Sequence, residues 1–429
     1  MFLRATSAAL CEILFLHKVD KNKLCNFNGD IFKFVYHKCG FTMKTKSSSN
    51  KSNFTPGLVI ASLTLLLLIN IASFAQSAAA PEKPKTNIED AQKHARTNFS
   101  MPGLFPAKVV QVNSEKSVAE NKIVAQAAYD MLEKGMLELT GESSLATAWL
   151  KFVTPKDRIG LKVNPVAGPT LSTSVEVTQA IVKQLVDAGI SRDNILIWDR
   201  REEQLAEAGF TKENFPGIKI VGTERPENGK MYDENGKLYG ERMIDKDWYY
   251  WADCEEKYDS ATIPYMVNEG KYSYFTKIVT QMVDKIINVP ILKNAGSSVT
   301  LCLKNLAYGS VTNTGRLHKQ LWHETTAEVC AFPPLRDKVV LNIVDGIKGC
   351  FNGGPGANPQ FFADFKTLLI GTDAVAVDRI GYDIVIKKRI AEKIQKEDNA
   401  RGRIFMDLAQ KLNLGMAEIE KIQLIKAEL

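Results

Sequence analysis

Short Val/Ile/Leu-rich runs alternate along this chain with stretches of helical periodicity, and that alternation constrains the fold more than any other feature. The runs are AKVVQVN (107–113), RIGLKVN (158–164), NILIWD (194–199), GIKIVG (217–222), KIINVP (285–290), KVVLNIVD (338–345) and TLLIG (367–371), with a further short one at 422–427. They are nearly continuous in apolar residues rather than alternating with polar ones. Such strands are covered on both faces, the condition of a parallel sheet between layers of helix. Between them, residues 118–134 repeat apolar positions at helical spacing, with Gly135 and Gly141 as breaks. Thr173 and Glu176 match a capping box ahead of a helix that ends near Gly189. Asp373 is placed to cap a long helix from Ala374 to about Ile390, and another helix is expected near 401–412. The predicted class is α/β: a mostly parallel open sheet flanked by helices, carrying an insertion with a β-hairpin.

That insertion spans 223–275. Asn235-Gly236 within MYDENGKLYG is a strong hairpin signal. DWYYWADCEEKY (247–258) follows, dense in aromatics and acids. It suits either a lid, with Tyr249 and Trp251 closing over a ligand, or a docking surface for a protein partner.

Charge divides the chain into leader and body. Residues 1–80 hold nine Lys/Arg and three Asp/Glu, which is the whole formal +6; the rest carries 46 of each sign. A neutral body argues against nucleic-acid binding, which needs a basic face. No charge occurs from Ser52 to Pro81, and GLVIASLTLLLLINIASFA (57–75) lies behind Lys44, Lys46 and Lys51 and ahead of Ala75, Ser77, Ala78, Ala79 and Ala80. This is the pattern of a secretory signal; the run is also long enough to serve as a single membrane anchor. The expected organisation is an extension over 1–42 ahead of a start at Met43, a signal over 43–80, a linker or arm over 81–105, and one α/β domain over 106–429. The product is then exported, periplasmic or extracellular, with membrane contact only through an uncleaved signal. Cys254, Cys302, Cys330 and Cys350 remain in the body. They are either disulfide partners, in an oxidising compartment, or small buried apolar residues. There is no C-x-x-C, and so no sequence-encoded iron–sulfur or zinc-ribbon motif.

In an open parallel sheet, ligands bind beyond the carboxyl ends of the strands. The ends here are polar: Lys162 with Asn164, Asp199-Arg200, Lys293-Asn294, Asp345-Gly346 and Thr372-Asp373. A second cluster, LKNLAYGSVTNTGRLHK (303–319), brings Lys304, Asn305, Thr312, Asn313, Thr314, Arg316, His318 and Lys319 together, donors suited to a carboxylate or phosphate. His318 and His323 are five apart, not the i, i+4 pair of a helical zinc site. The glycine-dense DGIKGCFNGGPGANP (345–359) is either a close-packed turn or an anion-binding nest.

The order IGLKVN (159–164), KIINVPILKNAGSSVTLCLKNLAYGSV (285–311), His318, IVDGIKG (343–349) and TDAVAVDRIG (372–381) resembles the family called domain of unknown function 362, in an exported branch without a ferredoxin module. The resemblance covers about 101–429. It implies an α/β domain and a set of matched positions: Lys162, Asn164, Lys293, Lys304, Asn305, His318, Asp345, Asp373 and Asp378. The family pattern often has a His directly after the NVP-x-x-K strand, where this chain has Asn294.

Two functions fit these residues. One is an enzyme on a small anionic substrate. Its catalytic candidates are Lys293, His318, Asp345 and Asp373, with His318 moving a proton and Asp345 or Asp373 acting as general base or metal ligand. Lys162, Asn164, Asp199, Lys304 and Asn305 would hold the substrate or cofactor. The other is a non-catalytic exported protein that binds an anionic ligand or a metal cofactor. The sequence names no cofactor.

Overall fold

The computed structural model describes residues 82–224, 242–255, 270–296 and 298–429. The signal segment and the Asn235-Gly236 hairpin lie outside these residues. The strands are β1 (Lys108–Asn113), β2 (Val118–Ala119), β3 (Lys122–Ile123), β4 (Ile159–Lys162), β5 (Ile195–Arg201), β6 (Lys219–Glu224), β7 (Ile244–Trp251) and β8 (Tyr272–Thr276). They continue with β9 (Lys285–Asn288), β10 (Ile291–Ala295), β11 (Ser298–Thr300), β12 (Val339–Cys350), β13 (Phe362–Gly371) and β14 (Gln423–Glu428). The longer helices are α1 (Ala125–Thr140), α2 (Val175–Asp187), α3 (Cys302–Ser310), α4 (Trp322–Glu328), α5 (Ala374–Ala391) and α6 (Ile404–Lys411).

One large sheet runs in the order β14-β1-β13-β12-β9-β4-β5-β6, with β10 and β11 added beside β12. The stretch β12-β9-β4-β5-β6 is parallel throughout, and β13 is antiparallel to both its neighbours, so the fold is α/β with a mostly parallel sheet. Side-chain alternation explains the unbroken apolar runs. Ile195 and Ile197 enter one core while Leu196 and Trp198 enter the other; Leu368 and Ile370 oppose Leu369 in the same way. α1 and α2 cover the first face through Met131, Leu132, Ile181 and Leu185. α3, α5 and α6 cover the second through Leu303, Leu306, Val377 and Phe405.

Several boundaries differ from the sequence expectation, each for a physical reason. α1 begins at Ala125 and runs through Gly135 to Thr140. Gly135 lets the helix lie flat on the sheet, where a Cβ would come 2.3 Å from Ile370 Cδ1; only Gly141, at φ 72°, ends it. The cap of α2 is Ser174, whose Oγ accepts from Val177 N; Thr173 is turned instead to Asn164 N and Val289 O. Pro290 ends β9, and β10 follows as a separate strand against β12. The segment 345–350 is strand rather than turn. Gly346 and Gly349 lie in β12, and a Cβ on Gly349 would come 2.3 Å from Leu292 O. Cys254, Cys302, Cys330 and Cys350 are all buried free thiols.

The arm over 85–103 is packed against the body. Asn87 N donates to Trp251 O at 3.1 Å, Thr86 bridges Ala252, and the Arg336 guanidinium donates to the carbonyls of Ala91, His94 and Ala95. The aromatic strand β7 is therefore partly covered by its own chain. Tyr250 is fully buried and donates to Glu328 at 2.8 Å, and Trp248 lies against His94.

Asp378 of α5 fixes α3. Its carboxylate accepts from Cys302 N at 2.6 Å and Leu303 N at 3.1 Å, two of the N-terminal donors that a helix leaves unpaired. Asp378→Ala leaves both buried and unpaired, and is expected to lower the unfolding free energy by about 2 kcal/mol. Asp378→Asn, which keeps one acceptor, is expected to lose less. Urea titration of the two variants measures the order.

Candidate functional site

β4, β5 and β9 run parallel, so Lys162, Asp199 and Asn288 reach the same edge of the sheet. Lys162 ends β4, with Leu161 and Val163 turned to the opposite core. Its ammonium leaves the sheet beneath α3, pairs with Asp199, and donates to Val163 O at 2.8 Å and Asn305 Oδ1 at 3.0 Å. It also lies 5.4 Å from the centre of the Trp198 ring. α3 admits this stem because residue 309 is glycine. A Cβ there would come 2.4 Å from Lys162 Cε. Burial pulls Lys162 below the usual lysine range, and Asp199 opposes that pull.

Lys293 enters from β10 and donates to Asn164 Oδ1 at 2.9 Å. From there a one-way series of amides crosses the sheet. Asn164 Nδ2 donates to Asn305 Oδ1 at 3.0 Å, and Asn305 Nδ2 to Asn288 Oδ1 at 2.9 Å. Asn288 Nδ2 then donates to Asn342 Oδ1 at 2.9 Å, and Asn342 Nδ2 to the Thr372 carbonyl at 3.1 Å. Every one of these asparagines is buried.

Above this network is a cavity of about 190 Å³, lined by Lys162, Asn164, Asp199, Lys293, Lys304, Asn305 and His318 among others. Arg200 and Arg201 also line it, both paired with the buried Glu224. Five basic side chains thus face a single lining carboxylate, Asp199. Lys304 projects from α3, with Nζ 5.2 Å from the Tyr308 ring centre and 5.8 Å from that of Trp322. Burial lowers Lys304 to about 8; burial, and then the charge of Lys304, lowers Lys293 to about 7. His318 is lowered to about 4, first by burial and then by Lys304, so its imidazole is neutral. Its Nδ1 is 2.9 Å from the Thr314 carbonyl oxygen, which only accepts. Nδ1 therefore holds the proton and Nε2 the lone pair. Thr300 Oγ1, on the same wall, is buried with no hydrogen-bond partner.

The remaining sequence candidates stand elsewhere. Asp345 faces a separate cavity of about 900 Å³, where its carboxylate accepts from Ser174 N and Ile347 N. Asp373 caps its own helix through Ala376 N and ties in Ala107 N and Met416 N. Burial raises Asp345, and raises Asp373 to about 6 and Asp378 to about 7. None of Trp248, Tyr249, Tyr250 and Trp251 lines the cavity of the lysines. Among the described residues, no group of three or more His, Cys, Asp or Glu is placed to hold a metal ion. Asn288, Asn342, Thr300 and Gly309 were not among the sequence candidates. A signal was present for the first two, because an Asn inside KIIN or VVLNIV must be hydrogen-bonded once the strand is buried.

A family model described as "Domain of unknown function (DUF362)" matches residues 159–383, the span that supplies every residue of this cavity. No curated protein matches the chain. Among solved structures, a Thermotoga maritima protein from a structural genomics programme is similar at 5% identity and a TM-score of 0.31. The match covers 63% of this chain and 60% of that one.

Two substitutions test this geometry. Asp199→Asn leaves the Lys162 ammonium buried without its countercharge, and is expected to cost about 3 kcal/mol of stability. Gly309→Ala would ordinarily stabilise a helix interior by up to about 1 kcal/mol. Here the new methyl meets the Lys162 stem, and a net loss is expected. Urea titration gives the sign of each.

Proposed function

The chain belongs to the DUF362 family, and on that premise we propose that its cavity binds a small carboxylate or phosphate and that the protein is an enzyme acting on that anion. The observation that carries this reading is the unbalanced charge around a small cavity. Around about 190 Å³ stand five basic groups; Asp199 pairs with Lys162 and the buried Glu224 with Arg200 and Arg201, while Lys304 has no acidic partner among the described residues. A buried cation without a counterion is unfavourable, and a bound anion supplies what is missing. The volume suits a compact acid, being below the roughly 300–1,000 Å³ typical of sites for larger ligands.

Catalysis is favoured over simple capture by the protonation states. Lys293, lowered to about 7, exchanges a proton near neutrality, and the neutral His318 offers Nε2 as an acceptor. In this reading Lys304 clamps the anion, Lys293 and His318 handle protons, and Asn164 and Asn305 position the two buried lysines. Asp345 and Asp373 serve the fold. The leader over 43–80 makes the protein an exported one, working outside the cytoplasm.

Calorimetric titration with phosphate and oxalate across pH 6–9 tests the reading. Lysines held below their unfolded value bind fewer protons when folded, so unliganded stability is expected to rise as pH climbs from about 7 toward 10. Anion affinity is expected to move the opposite way, falling as Lys293 and Lys304 lose charge. Lys304→Gln should weaken binding at least about tenfold, the loss of one charge-assisted hydrogen bond. Affinity that stays flat over this range, or survives Lys304→Gln, overturns the proposal.

A further inference from the structure

The three lysines of the cavity have different partners, and the partners assign them different chemistry. Lys162 has three acceptors, Val163 O, Asp199 and Asn305 Oδ1, for the three protons of an ammonium. It has no lone pair to offer and acts as a fixed charge. Lys304 stands over the faces of Tyr308 and Trp322, surroundings that favour a cation. Lys293 is different. Fully buried, it has one hydrogen bond, to the neutral Asn164 Oδ1, and no salt bridge among the described residues; the Asp199 carboxylate, already paired with Lys162, only partly offsets the pull of burial and of Lys304. Asn164 cannot turn its amide to answer an ammonium more fully, because its Nδ2 is committed to Asn305. An amine at Lys293 thus satisfies its one acceptor with one N–H and keeps its lone pair.

We propose that Lys293 is a nucleophile that forms an imine with the carbonyl of a small 2-oxo carboxylate held in this cavity by Lys304. The inference rests on the anion-binding reading and adds the carbonyl group to it. A lysine is activated as a nucleophile when it is desolvated beside another cation, and Lys293 meets both conditions. Its lowered value of about 7 accords with that placement.

The step balances without a redox partner. The Nζ lone pair attacks the carbonyl carbon and forms a C–N bond, while the C=O π pair moves to oxygen. That oxygen takes a proton, giving a carbinolamine. Nitrogen gives up its first proton at this stage. Then, as the nitrogen pair closes the C=N bond, the hydroxyl takes a second proton and leaves as water while nitrogen gives up its second, so oxygen gains two protons and nitrogen loses two. Amine and ketone become imine and water. Thr300 Oγ1, without a partner on the same wall, is the donor available to the carbonyl oxygen.

The test uses the full chain with pyruvate and sodium cyanoborohydride, read by intact mass and peptide mapping. The expected result is one reduced pyruvate adduct per chain, located on Lys293. Lys293→Arg should abolish it, and Lys304→Gln should slow it at least about tenfold by removing the carboxylate clamp. Mapping on the unmodified sequence keeps the test valid if a variant folds poorly. Adducts absent, or scattered over exposed lysines, overturn the imine. If phosphate and oxalate still bind in that case, the anion reading survives and only the imine falls. If neither anion binds and no adduct forms, both are overturned.

Discussion

The buried series of amides from Lys293 through Asn164, Asn305, Asn288 and Asn342 to the Thr372 carbonyl is the interaction on which the rest of this structure depends. It joins β10, the end of β4, α3, β9, β12 and the turn after β13. An amide in water costs nothing to leave unpaired, but one inside a sheet does, so each asparagine must find its neighbour in one orientation. Every Oδ1 accepts from the side of the cavity and every Nδ2 donates away from it. That polarity presents acceptors, not donors, to Lys162 and Lys293, and it allows two lysines to be buried above the sheet.

Bases and acids are used differently in this protein. Asp345, Asp373 and Asp378 are all buried, and each accepts backbone N–H groups near the start of a helix or at a bulge in a strand. They hold α2, α5 and α3 in place. Asp199 alone among the lining residues brings negative charge to the cavity, and Lys162 takes it up. Lys293 and Lys304 line the cavity with no salt bridge among the described residues, and the proposed anion would supply the missing charge.

Much of this was legible in the residues. Polar groups at the strand ends pointed to one edge of the sheet, and the KNL segment pointed to Lys304 and Asn305. The strand runs and the helices over 175–187, 374–391 and 404–411 follow from periodicity. Other features were hidden. Asp345 has the same strand-end signature as Asp199, yet it shares the face of β12 that carries Ile343 and Ile347 and lines a different cavity. The glycines at 346 and 349 look like a turn but serve close packing within a strand. Gly309 has no local signal at all, since its reason is a lysine stem 147 residues earlier in the chain.

The sequence by itself determined an α/β body with a doubly covered parallel sheet, because apolar periodicity is a local property that survives whatever the strands pair with. It also determined family membership, through ordered motifs. Only the tertiary structure decided the strand order β12-β9-β4-β5-β6, and with it which polar ends meet. Only the tertiary structure gave the three lysines different surroundings: three acceptors around Lys162, aromatic faces beside Lys304 and a single neutral amide at Lys293. A lysine's chemistry is set by the number and charge of its neighbours, and those neighbours, such as Asn305 for Lys162, stand as far as 143 residues away along the chain.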